Sequence, residues 1–200
     1  MAQAIAYTEA MAGEDLERLQ LLRDMFAAAP DEELLGRLAK QAELDGKVQK
    51  LAWAALEESG ERLAAEWMRV FEGPGRYPVI LFGSYYLDGK KLMGPSTLAT
   101  RQFYRQYGME PAANIPADHI AFELGFLGFL TASARMADTR INAAGDKKAF
   151  LAACTDFIRQ LMLPWVQPMV EILNGATGFS YFHSLGELLL ATLRNLEAAL

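Results

Sequence analysis

The sequence holds one cysteine, Cys154, and two histidines, His119 and His183. A lone cysteine excludes an intrachain disulfide and any four-cysteine metal site. On a helical pattern it reads as a small buried apolar residue. Neither histidine belongs to a Glu-x-x-His pair, which argues against a helical di-iron centre, built from two such pairs and further inward glutamates. There is no Gly-x4-Gly-Lys-Ser/Thr phosphate loop, dinucleotide fingerprint, His-Glu-x-x-His or Gly-x-Ser-x-Gly elbow, so ordinary nucleotide and hydrolase chemistries lose their usual carriers. Charge is sparse at 22% of residues. The longest apolar stretch, Ile120 to Ala134, is interrupted by Glu123 and falls short of the roughly 20 residues a membrane helix needs, so no transmembrane helix is expected. The N-terminal MAQAIAYTEA has no basic segment ahead of an apolar one. It does not read as a secretory signal, and a cytoplasmic location is expected.

What the sequence does have is apolar surface and an acidic balance. Hydrophobic residues make up 52% of the 200, and the formal charge is −6. The pI of about 5.0 argues against nucleic acid or an anionic membrane as the main partner, and without a transmembrane helix no stable membrane insertion is expected. The charge is uneven. Basic against acidic residues number 8 to 15 over 1–72, 5 to 1 over 73–108 and 6 to 9 over 109–200. An acidic, apolar protein suits a basic, apolar ligand, although an acidic face is also simply a solvated one.

Apolar residues at helical spacing, punctuated by glycine and proline, predict an all-α fold of about eight to ten helices. Leu16, Leu19, Leu22, Met25 and Phe26 form one stripe, opened at Gly13 and stopped by Pro30. Further helices are expected at about 31–44, 47–59, 61–72, 98–107, 119–137, 146–163, 166–173 and 177–199. Residues 73–96, GPGRYPVILFGSYYLDGKKLMGPS, have no helical period and read as a long ordered loop packed down by Tyr77, Phe82, Tyr85 and Tyr86. Ser96 or Thr97 is expected to cap the helix after it, and Gly108 to end that helix. The expected organisation is an N-terminal helical part over 1–108, a hinge over 109–118 and a C-terminal helical part over 119–200. The helix after Asp118, apolar almost all round, should be the central buried one.

The dense polar cluster in apolar surroundings is Asp118-His119 with Glu123, whose last two members share a helix face. Two readings stand beside each other. Asp118 caps the helix while His119 and Glu123 satisfy local hydrogen bonds, or the three form a binding, catalytic or metal site. His183 reads as an interface or core histidine.

Taken in order, WMRVFEGPG, LFGSYYLDG, LMGPST, YRQYGME, IPADHIAFELGFLGFL and LMLPWV resemble the TorD/DmsD/NarJ family of redox-enzyme maturation chaperones, from Trp67 to Val166. Pro116-x-Asp118-His119-x3-Glu123-Leu124 is similar to the family's Pro-x-Asp-His hinge motif. The second signature is Gly83-Ser84-x-Tyr86-Leu87-Asp88, followed by Gly94-x-Ser96-Thr97. Ile115 stands where an acidic residue is common, and Phe82 where many members carry Trp.

The resemblance implies a cytoplasmic chaperone, not an enzyme and without cofactor or metal. It would bind the twin-arginine leader and the apo-form of a molybdoenzyme of the DMSO/TMAO reductase type, and delay export until the cofactor is inserted. It implies leader-binding roles for Trp67, Phe82, Gly83, Asp118 and His119. Tyr86, Glu123 and Met93 join them by chemistry, since paired arginines want carboxylates and an apolar segment wants adaptable hydrophobic side chains. Alternatives are a NarJ-like assembly factor for a subunit with a vestigial leader, and an enzyme or metal protein using Asp118, His119 and Glu123. A monomer with some domain-swapped dimer is expected, the helical halves exchanging through 109–117.

Overall fold

A computed structural model describes residues 2–73, 79–110, 115–138 and 144–199, with side chains from residue 13 onward except 138, 144 and 199. The described residues are all-α, as the periodicity predicts; the one β feature among them is an isolated antiparallel bridge between Phe82 and His119. Helix α1 spans Ala2–Ala27. It begins well before the expected start near Gly13, because the alanine-rich segment ahead of that residue has high helix propensity and one glycine does not stop a long helix.

Helices α2 (Glu32–Leu44), α3 (Gln49–Leu56) and α4 (Gly60–Trp67) follow. Asp31 caps α2 by accepting from the Leu34 N–H at 2.8 Å, and Ser59 caps α4 through the Arg62 N–H at 3.3 Å. The segment expected as one helix over 61–72 leaves α-geometry at Trp67 and finishes as a π turn, Met68–Glu72. A π turn rotates the residues after it relative to a continuing α-helix, and such turns gather at functional sites.

The expected loop over 73–96 is not wholly irregular. It contains α5, Gly83–Leu87. Tyr77 lies outside the described residues, as do 111–114 of the expected hinge. Helix α6 (Pro95–Gln106) begins at a proline suited to the first turn, with Gly94 as N-cap. Its cap is neither Ser96 nor Thr97. Asp88 supplies it instead, one carboxylate oxygen accepting from the Ser96 N–H at 3.0 Å and from its hydroxyl at 2.6 Å. Gly94 is required there: a Cβ would lie 2.2 Å from the Asp88 carboxylate oxygen. Gly108, at φ +73°, ends α6 in the left-handed conformation that glycine favours.

Helix α7 (Ile120–Asp138) is the central helix, packed against α1 on one side and α8 (Ala144–Phe157) on the other. Its window Ile120–Ala137 is long and apolar enough to span a membrane by composition, contrary to the sequence expectation, but 61% of that window is buried inside the fold. A second π turn, Ile158–Met162, leads into α9 (Leu163–Ala176), and α10 (Ser180–Ala199) closes the chain. Helix α10 packs on α9, α3 and α1. One hydrophobic cluster runs from Leu19 to Leu196 through both halves of the sequence. Cys154 is buried in it beside Thr131, and burial pushes its thiol up to about 12.

Arg18 is wholly buried, 0% exposed. Its Nη1 meets Asp15 at 2.5 Å, while Nε and Nη2 grip Asp45 at 2.8 and 2.5 Å. Asp45 also accepts from the Lys47 N–H at 3.0 Å. This buried charge group ties α1 to the α2–α3 turn.

Candidate functional site

The site is built where the chain before α5 meets the chain before α7. The Ile120 N–H donates to the Leu81 carbonyl at 2.9 Å, and the Gly83 N–H donates to the Asp118 carbonyl at 3.0 Å. Phe82 and His119 lie between these bonds as a facing antiparallel pair, the arrangement that brings side chains closest. Their rings meet edge-to-face with centroids 4.9 Å apart.

Above this pair opens a cleft of about 210 Å³, its walls including Phe26, Trp67, Phe71, Ile80, Phe82 and His119. Trp67 is fixed by an indole N–H donating to the Met25 carbonyl at 2.9 Å, and Phe71 packs on it with centroids 5.3 Å apart. The π turn delivers Phe71 and Glu72 to the cleft. Glu72 is the one charged side chain among the described lining residues, and it makes no ion pair among them. The sequence reading missed it, along with Phe26 and Phe71; its signal was its place in WMRVFEGPG, the last acidic residue before the glycine-proline break.

The carboxylates that the sequence pointed to are elsewhere. Asp118 is 1% exposed and Glu123 0%. Asp118 does not cap α7: its Oδ2 accepts from the Ser84 N–H at 2.5 Å, in the first turn of α5. A carboxylate there complements the free amides of the turn. The start of α7 is instead satisfied by His119, whose Nδ1 accepts from the Ala121 N–H at 3.2 Å. That bond assigns the neutral tautomer with its proton on Nε2. Burial pushes the His119 pKa down, against the opposing pull of Asp118, so the ring is neutral at pH 7.

Glu123 accepts from the Trp165 indole N–H at 3.2 Å. Burial first, and then the charge of Asp118, pushes its carboxyl well above the usual range. Oδ1 of Asp118, Oε1 of Glu123 and Oγ of Ser84 have no partner among the described residues. Gly83 fits this packing because a Cβ would lie 2.9 Å from Nε1 of Trp165. Tyr86 stacks on the other part of Trp165, centroids 5.7 Å apart, and donates to the Ile80 carbonyl at 2.9 Å.

Of the seven residues singled out, then, Trp67, Phe82 and His119 share the cleft wall. Gly83 and Asp118 hold the backbone that positions Phe82, while Tyr86 and Glu123 pack around Trp165. Met93 stands on the surface, away from the cleft, at φ +59°. His183 is half-buried, its Nε2 2.9 Å from the Thr177 carbonyl. Asp118, His119 and Glu123 hydrogen-bond to different partners, Ser84, Ala121 and Trp165, while the charge of Asp118 acts on both of the others. Among the described residues no group of three or more His, Cys, Asp or Glu is placed to hold a metal ion.

The cleft is thus lined by aromatic side chains, with the buried Asp118 carboxylate bracing the backbone beneath it. The family model described as nitrate reductase delta subunit matches residues 37–171. The chain belongs to this family, the TorD/DmsD/NarJ group. It is 29% identical over 145 residues to the Tat proofreading chaperone DmsD of Salmonella paratyphi A, covering 71% of this chain and 64% of that one. The chaperone protein TorD of Vibrio cholerae is 28% identical over 173 residues, covering 85% of this chain and 74% of its own length. TorD of Aliivibrio fischeri is 28% identical over 168 residues, with 80% and 76% covered. The match thus spans less than two thirds of the DmsD relative's length and about three quarters of the two TorD relatives'. These DmsD and TorD relatives are named as chaperones.

Proposed function

We propose that the chain is a cytoplasmic redox-enzyme maturation chaperone that binds the twin-arginine leader of a molybdoenzyme and holds the apo-form back from export. The observation that carries this is the cleft between the π turn and the Phe82–His119 pair: an aromatic trough with a single carboxylate, Glu72, at its edge. An apolar leader segment would bury its side chains against Phe26, Trp67, Phe71 and Phe82. A guanidinium would meet Glu72 in fork geometry. Asp118 and Glu123 act from behind, since their burial keeps them from an incoming arginine: Asp118 braces the backbone beside Phe82, and Glu123 holds Trp165.

The test is calorimetric titration of a twin-arginine leader peptide into the parent, Phe82→Ala and Glu72→Gln. Phe82→Ala should weaken binding by about 2–3 kcal/mol, the contribution of a buried aromatic. Glu72→Gln should cost less, about 0.5–1 kcal/mol, because an exposed ion pair is screened. Parent-like binding by both variants would remove the cleft from the account. An assembly factor for a subunit with a vestigial leader would use the same trough, and a leaderless client N-terminus titrated alongside separates the two.

A further inference from the structure

We propose that the open groove between α2 and α3 is a second docking surface, for an amphipathic helix bearing lysine or arginine beside its apolar face. The groove encloses about 520 Å³, more than twice the leader cleft, and shares no residue with it. Leu35, Leu38 and Ala42 contribute a helical stripe from α2, and Ala52, Trp53 and Leu56 face it from α3. Alanines in both walls leave room for incoming side chains. At the mouth, Trp53 is 67% exposed and Leu56 82%. Two large apolar side chains one helical turn apart, standing in water beside a trough, form a half-made helix interface.

Charge selects the occupant. The charged residues lining the groove are Glu43 and Glu58, with no lysine or arginine. Arg62 holds Glu58 at 2.7 Å, whereas Glu43 has no ion pair among the described residues. Residues 31–61 as a whole carry eight acidic side chains against four basic ones. A second copy docking here through the same patch would set carboxylates against carboxylates, and an anionic lipid surface would meet the same repulsion. A basic helix gains on both counts, burying its apolar face while pairing with Glu43.

The groove carries its own reporter. Trp67 and Trp165 are buried, so iodide quenching of tryptophan emission reads Trp53. The probes are a synthetic leucine–lysine amphipathic helix and its leucine–glutamate counterpart. The lysine peptide should shield Trp53 and shift its emission to the blue, the glutamate peptide should not, and added salt should weaken the effect. Leu56→Ser, at an exposed position the fold does not need, should weaken binding about tenfold, the effect of one leucine fewer buried. Phe82→Ala should leave it unchanged. The proposal is overturned by equal shielding from both peptides, by shielding from neither, or by full binding to Leu56→Ser. Loss of binding in Phe82→Ala also overturns it, placing the peptide in the leader cleft and leaving that reading intact. Shielding of Trp53 that grows with protein concentration alone would give the groove to a second copy instead.

Discussion

The carboxylate of Asp118 accepts the backbone N–H of Ser84 at 2.5 Å, joining two segments 34 residues apart in sequence. Through this bond the loop carrying Phe82 and the helix carrying His119 become one wall of the cleft. Asp118→Ala leaves a buried amide without its acceptor and should cost about 1–3 kcal/mol in urea unfolding. Asp118→Asn keeps an acceptor oxygen and should cost less. If the alanine variant unfolds like the parent, the bond does not organise the wall.

Gly83→Ala presses a methyl group toward Trp165, which is itself bonded to Glu123. Overpacking of this kind costs about 1–3 kcal/mol. Because the indole must shift, near-ultraviolet circular dichroism should change along with the denaturation midpoint. An unchanged spectrum would show that the loop yields and the tryptophan does not.

Much of this arrangement was legible in the sequence, and the reasons it was incomplete are physical. Helical spacing of apolar residues located α2, α7 and α10 because those helices bury one face or nearly all of it. The π turns escaped detection, since a single extra residue in a helical turn leaves no compositional trace. Local pattern alone gives the cap of α7 to Asp118 and that of α6 to Ser96 or Thr97. Tertiary contact decides otherwise: Asp118 serves α5, and Asp88 serves α6. The family motifs supply Trp67, Phe82 and His119 to the cleft wall, while their Gly83 and Asp118 pack behind it. Glu72, the charged residue that reaches the cleft, belongs to a segment singled out for its tryptophan.

Glu123 sets a pH dependence whose sign is fixed. Its carboxyl is held well above the ordinary value of 4.5 in the folded protein, chiefly by burial. The unfolded chain ionises it above about pH 4.5 while the folded one keeps its proton, so its contribution to stability declines as pH rises from there toward the folded pKa. Glu123→Gln removes the titration and retains an acceptor for Trp165. Melting curves should show the variant gaining on the parent as pH rises above 5, with the difference shrinking toward pH 4. A difference independent of pH would contradict the assignment.

Arg18→Met strands Asp15 and Asp45 as buried charges facing each other. Removing one partner of a buried ion group costs about 3–5 kcal/mol. Replacing Asp15, Arg18 and Asp45 together by apolar residues of similar volume should restore most of that loss. Urea denaturation of both variants distinguishes the charge effect from lost packing.

The most direct test of the central claim is to locate a bound leader. A twin-arginine leader peptide with a photoreactive phenylalanine analogue in its apolar segment is irradiated on the protein, and the adducts are mapped by mass spectrometry. The account predicts cross-links to the segments around Trp67–Glu72 and Ile80–Phe82, reduced by excess unlabelled leader. Cross-links confined to α2 and α3, or adducts that excess leader does not displace, would contradict it.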